Sequence, residues 1–181
     1  MVDKLLEFFK LANNLKWIER SGWVAKVNVK EPESVADHCY LMALMCMVLA
    51  ELKGLNSSKA VKMALLHDIA ESLTGDYMPD DVTMKEKIEE ETKAIKSILN
   101  RLPAKLRTNY AKIWQEYKMK SSKEAVLVHQ IDKLEMALQA NDYLKKGYSM
   151  ALLRQFFESA GSGIKDRSLL GMLNSLKNTK S

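Results

Sequence analysis

Ala64-Leu65-Leu66-His67-Asp68-Ile69-Ala70-Glu71 is the stretch around which the rest of the chain is read. It is an apolar run interrupted by the ionisable side chains of His67, Asp68 and Glu71. Its alanines and leucines favour a helix. Neighbours on a helix diverge by about 100°, so His67 and Asp68 point apart yet can straddle one ion. Glu71, four residues beyond His67 and three beyond Asp68, flanks both. Burying two carboxylates and an imidazole among leucines is costly unless something compensates, and a divalent cation would do so. The bland alternative is a surface helix with ordinary polar residues, because an isolated His-Asp pair is a weak signal.

Two further places bear on that choice. His38 lies in Glu33-Ser34-Val35-Ala36-Asp37-His38, at the head of the apolar run Cys39 to Leu52. Alone it reads more naturally as a core histidine than as a ligand. Asp132 lies in Val128-His129-Gln130-Ile131-Asp132-Lys133-Leu134, again inside a helical apolar pattern. The order H…HD…D over three predicted helices resembles the HD-domain metal-dependent phosphohydrolases. His67 to Asp76 also fits HD-x-x-E-x-x-x-x-D. With Arg20, the resemblance is to the 5′-deoxynucleotidase and HD-domain-containing protein 2 branch, from about Leu15 to Tyr143.

The resemblance implies an all-α fold, a single HD domain over residues 1–181. About six core helices would hold the metal site within about 15–143. Short helices at 149–177 would serve packing or dimerisation. It implies His38, His67, Asp68 and Asp132 as ligands of one divalent ion per chain. Mixed nitrogen and oxygen donors suit Mn, Co, Fe, Zn or Ni better than a dedicated Mg site, although Mg stays on the list. Glu71 would manage the attacking water, and Asp76 the leaving alkoxide or the sugar hydroxyl beside it. Arg20 would bind the phosphate, a task its planar fork suits; without the resemblance it could equally be a surface arginine. The reaction implied is hydrolysis of a (deoxy)nucleoside 5′-monophosphate by a homodimer. In the bacterial 5′-deoxynucleotidases a tryptophan is expected after the arginine, where this chain has Ser21, with Trp23 two residues on. That puts deoxyribose selectivity, but not phosphate chemistry, in question. Two rivals stay open: an HD phosphohydrolase acting on another nucleotide, and a non-catalytic helical module that binds nucleotide or nucleic acid.

Composition agrees with a globular chain of one domain's length: 181 residues, 47% hydrophobic and 28% charged. Seven Gly and three Pro are too few for a turn-rich β sandwich. The net charge of +5 is scattered among acidic residues, so it reads as a solvated surface and no nucleic-acid partner is expected. Cys39 and Cys46 are two turns apart on one predicted helix, about 10 Å, too far to join. Two buried thiols fit a reducing cytoplasm. No apolar run approaches the roughly 20 uncharged residues of a membrane span, and Asp3, Lys4, Glu7 and Lys10 interrupt any signal-peptide pattern.

In chain order, residues 2–18 predict an amphipathic helix through Leu5, Phe8, Phe9, Ala12 and Leu15. Residues 19–32 read as an apolar, β-leaning loop with Ser21-Gly22 as a turn. Residues 33–53 predict a central helix, apolar nearly all round and stopped by Gly54. Ser57 or Ser58 should cap the next helix, which carries His67, Asp68 and Glu71 to Gly75. A loop over 77–83 holds Pro79, Asp80 and Asp81, the acids serving as helix-start residues or lying at the mouth of the site. Helices follow over 84–101, after Pro103, and over 122–146, the last opened by a Ser121-x-x-Glu124 capping box. His129 reads as structural or as a support to the ligands.

Overall fold

The structure, a computed structural model, describes residues 1–77 and 83–178. The elements are α1 (Val2–Asn14), a 3-10 turn (Leu15–Trp17), α2 (Ser21–Val27), α3 (Val35–Leu52), α4 (Ser57–Leu66) and α5 (Glu71–Thr74). They continue with α6 (Met84–Leu99), α7 (Ala104–Met119), α8 (Lys123–Lys145), α9 (Met150–Gly163) and α10 (Arg167–Asn178). The fold is all-α: among the described residues there is no strand, only an isolated antiparallel bridge between Glu19 and Ser34. The predicted loop acids Asp80 and Asp81, with Pro79, lie outside the described residues.

α3 and α8 form the centre. α3 starts at Ser34, whose hydroxyl accepts the Asp37 N–H while the Asp37 carboxylate receives the Ser34 N–H. This reciprocal cap ties off donors that the first helical turn leaves unpaired. Met42, Cys46 and Ala50 then bury one face against α4 and α8. By length and a mean hydropathy of 1.6 alone, α3 could cross a membrane, which the sequence reading did not expect. It packs instead as the core helix of the bundle. It is not covered all round, however: Tyr40, Leu44, Met47 and Val48 are exposed. Cys39 and Cys46 are free thiols, both buried.

Four local expectations are corrected. Residues 21–27 are helical, because α2 places Trp23 and Val27, four residues apart, into the core. Trp23 packs against Tyr143 and Phe156 at centroid distances of 5.1 and 4.1 Å, and that packing overrides the β-leaning composition. Asn28 closes the helix in the left-handed region at φ 58°. Asn56, not Ser57 or Ser58, caps α4 by accepting the Lys59 N–H. Ser122, not Ser121, caps α8, since Glu124 is drawn away to the Asn56 N–H and to Lys59.

The fourth correction concerns the decisive stretch. The helix ends at Leu66, and His67 to Ala70 form a turn. Nδ1 of His67 donates to the Ala64 carbonyl at 2.7 Å, the acceptor that the next helical N–H would have used. The chain then tightens into three-residue bonds, Glu71 N to Asp68 O at 3.0 Å and Ser72 N to Ile69 O at 3.2 Å. α9 and α10 pack on α8 and on each other, burying Leu153, Phe157, Ala160, Leu169 and Leu173.

Candidate metal centre

His38 comes from the first turns of α3, His67 and Asp68 from the turn after α4, and Asp132 from the middle of α8. Packing of α3 against α4 and α8 brings these three places to one point. His38 Nε2 lies 3.3 Å from His67 Nε2, 3.5 Å from Asp132 Oδ1 and 3.9 Å from Asp68 Oδ2. His67 Nε2 lies 3.0 Å from Asp68 Oδ2. Both imidazoles are buried and both carboxylates are mostly so.

These residues fit a metal ion. A carbonyl can only accept, so His67 Nδ1 carries a proton, and the neutral ring that binds a metal would present its Nε2 lone pair to the cluster. Ligands about 2.1 Å from an ion stand roughly 3 Å apart at right angles, close to the spacings observed here. Without a metal ion, the buried carboxylates are balanced by Arg20 and by a proton on His67, whose pKa Asp68 raises against the effect of burial. No cysteine belongs to the His38, His67 and Asp132 group, although Cys39 stands near His67 and Asp68.

Arg20, just ahead of α2, reaches Asp68 Oδ2 with a guanidinium nitrogen at 3.3 Å. Its segment is pinned to the start of α3 by the bonds Arg20 N to Glu33 O and Val35 N to Ile18 O, 3.0 and 2.8 Å. Burial opposes its charge, but Asp68, Asp76 and Glu71 outweigh this and raise the pKa above the usual range. Burial likewise works against the Asp68 charge, yet His67 and Arg20 hold its carboxyl well below the usual carboxylate range. Glu71 behaves oppositely: burial, then Asp68 and Asp76, push it up to about 9. Among the described residues its Oε2, buried, has no hydrogen-bond partner. Asp76 accepts two hydrogen bonds from Ser21 at Oδ2.

All seven residues picked from the sequence therefore surround one place. Three others escaped that reading. Glu135 Oε2 lies 2.5 Å from His38 Nδ1. Glu33 accepts from Trp23 Nε1 at 2.7 Å, and burial, then Glu135, push it up to about 7. Ser21 holds Asp76. For Glu135 the signal was present: a carboxylate one turn after Asp132, on the buried stripe of α8. His129 turns away, its Nε2 donating to the Tyr117 carbonyl and its ring stacking on Tyr117 at 4.0 Å. A cavity of about 340 Å³ adjoins the centre, sharing Arg20 and Asp76 with it. Trp23, Met136 and Phe156 form apolar wall, and Lys133 adds a cation.

A buried cluster of histidines and aspartates, gathered from three parts of an α-helical bundle, defines a class of metal-dependent phosphohydrolase. The HD domain family matches residues 12–169, and the chain belongs to that family. It is similar to the 5′-deoxynucleotidase HDDC2 of Danio rerio, 39% identical over 176 residues covering 97% of this chain and 87% of that one. The human 5′-deoxynucleotidase HDDC2 is 38% identical over 178 residues, 98% of this chain and 86% of its own. The fold is similar to the crystal structure of a protein from Pyrococcus horikoshii OT3, with a TM-score of 0.80 and 32% identity over 99% of this chain and 100% of that one.

Proposed function

We propose that this chain is a metal-dependent 5′-deoxynucleotidase, hydrolysing a (deoxy)nucleoside 5′-monophosphate to nucleoside and inorganic phosphate. The observation that carries the reading is the convergence of His38, His67, Asp68 and Asp132 beneath Arg20, beside a cavity of about 340 Å³. Those four side chains would hold one divalent ion per chain, drawn from Mn, Co, Fe, Zn, Ni or Mg. When bound, such an ion lowers the pKa of water and polarises a phosphoryl oxygen.

The protein's own groups supply the rest. Arg20 sits against Asp68, where its guanidinium can take phosphoryl oxygens and balance the charge that builds on them. Glu71 Oε2 is the open proton acceptor for the attacking water. Burial and the two aspartates oppose its charge and push its pKa up to about 9; a cation among these groups would act in the opposite sense. Water oxygen bonds to phosphorus as Glu71 takes its proton, the bond from phosphorus to O5′ breaks, and that proton passes on to the leaving O5′. Asp76, steadied by Ser21, is the group placed to handle that oxygen or the neighbouring sugar hydroxyl. Trp23, Met136 and Phe156 offer the nucleoside an apolar wall.

The test is phosphate release from a panel of nucleoside and deoxynucleoside monophosphates, with added metal and with chelator. Metal-dependent release from 5′-monophosphates is expected. Release confined to cyclic, di- or triphosphates would overturn the substrate assignment, and none under any metal would overturn the enzyme.

We further propose a cytoplasmic homodimer. The free buried thiols Cys39 and Cys46 suit a reducing compartment. Tyr40, Leu44, Met47 and Val48 recur at helical spacing as an exposed apolar stripe on α3, which a second copy would cover about a twofold axis. Met47→Glu should convert a sedimenting dimer to monomer; a wild-type chain that sediments as a monomer would remove the proposal.

A further inference from the structure

Glu135 is the buried carboxylate for which the chemistry above gives no role. It is 0% exposed and stands one helical turn beyond Asp132 on α8. Its Oε2 meets His38 Nδ1 at 2.5 Å, and its Oε1, also buried, has no hydrogen-bond partner among the described residues. Among the described residues no lysine or arginine forms a salt bridge with it; the group it meets is the His38 imidazole. A second carboxylate, Glu33, stands within 4.8 Å, held by Trp23 Nε1. As a device for stability this arrangement is poor, since a buried charge next to another carboxyl costs more than an apolar side chain of the same size.

Its value lies in what it does to the imidazole. A neutral histidine has one N–H and one lone pair, and only the lone pair can bind a metal. Both orientations of proton are open to a free ring. An ionised carboxylate accepts only, so a hydrogen bond from the neutral His38 ring to Glu135 Oε2 calls for the ring proton on Nδ1. The lone pair is thereby left on Nε2, the atom that faces His67 Nε2 at 3.3 Å and Asp132 Oδ1 at 3.5 Å. With the other tautomer an N–H would point into the ligand cluster. We infer that Glu135 is a positioning residue that fixes the tautomer and direction of His38 and thereby sets the affinity of the metal centre. Glu33 stands behind it as the second carboxyl of the same buried group. The inference rests on the metal-centre reading above.

The experiment titrates metal-free wild type, Glu135→Leu and Glu135→Asp with Mn²⁺ against a competing chelator. Carboxylates behind metal-bound histidines typically contribute 10–100-fold in affinity. Glu135→Leu, which has no acceptor for the His38 Nδ1 proton, should therefore weaken Mn²⁺ binding by about that factor. Its metal-free melting temperature should be unchanged or higher, and kcat at saturating Mn²⁺ should be largely restored. Glu135→Asp, which keeps the charge, should recover part of the affinity. A folded Glu135→Leu with wild-type Mn²⁺ affinity would overturn the inference. A second measurement stands whether or not that variant folds: nitrogen-15 spectra of the wild-type imidazoles should show His38 protonated at Nδ1, and protonation at Nε2 defeats the proposal. Wild type that binds no Mn²⁺ at all would defeat the metal-centre reading instead, and the tautomer measurement would still decide the role of Glu135.

Discussion

Ser21 gives two hydrogen bonds to one oxygen of Asp76: its backbone N–H reaches Oδ2 at 2.8 Å and its hydroxyl reaches the same atom at 3.1 Å. The first bond serves the opening turn of α2, where peptide N–H groups lack helical partners. The second fixes the carboxylate beside Arg20. The resemblance predicts a tryptophan at this position; the serine found there instead links the arginine segment to the segment after Glu71.

Ser21→Ala tests that link, because it removes the hydroxyl bond and keeps the N–H. A hydrogen bond to a charged group contributes roughly 1.5–3 kcal/mol, so kcat should fall about tenfold or more while bound metal stays constant. Steady-state kinetics beside metal analysis reads both. An unchanged kcat would detach Ser21, and with it the present placing of Asp76, from the chemistry.

Metal removal should be visible in stability as well as in activity. The four ligands come from α3, the turn after α4, and α8, so a bound ion joins elements far apart in sequence. Free metal at a hundred times its dissociation constant stabilises by about 2.7 kcal/mol. For a chain of this size that corresponds to roughly 5–11 °C in melting temperature. Thermal melts with chelator and with metal restored check this. Protein purified without chelator that holds no ion, and melts unchanged on add-back, would rule the centre out.

Much of this arrangement was legible because the residues that carry it are chemically conspicuous. A histidine at the head of an apolar helix and an aspartate within another are expensive to bury, so they stand out. What the sequence hid were effects of packing. Trp23 and the valines near it read as extended until the core that receives Trp23 and Val27 is known. The break after Leu66 depends on the His67 ring claiming the Ala64 carbonyl, which periodicity cannot reveal. Glu135 was visible on the inner stripe of α8, yet its meaning depends on His38, which lies 97 residues away along the chain.

Arg20 separates phosphate handling from metal binding. Its guanidinium touches Asp68 but lies outside the ligand set, so Arg20→Ala should leave metal content and fold intact. Loss of one preorganised donor to a developing charge costs about 10²–10³-fold, and kcat/KM should fall on that scale. Arg20→Lys should recover only part, since an ammonium cannot copy a planar fork. Wild-type kinetics in Arg20→Ala would return the residue to ordinary surface charge.

The sharpest division runs between Glu71 and Asp68, which share one short turn. Asp68 Oδ2 lies 3.0 Å from His67 Nε2 inside the ligand cluster, whereas the buried Glu71 Oε2 has no partner among the described residues. If Glu71 manages the attacking water, its contribution arises in the transition state. Glu71→Ala should then lower turnover by about 10²–10⁴-fold, the usual range for a general acid or base. kcat and kcat/KM should fall together, since the lost interaction is absent from the ground state. Metal occupancy should stay near full. The metal-free variant should melt no lower than wild type, because removing Glu71 relieves a buried carboxyl crowded by Asp68 and Asp76. Asp68→Ala should lose ion and activity at once. Metal analysis of the two purified variants, beside their kinetics, reads the difference directly. A Glu71→Ala protein that arrives empty of metal makes Glu71 a ligand or a ligand's support. One that turns over nucleotide at the wild-type rate with metal bound moves the proton acceptor elsewhere, and the mechanism must then be rebuilt around another group.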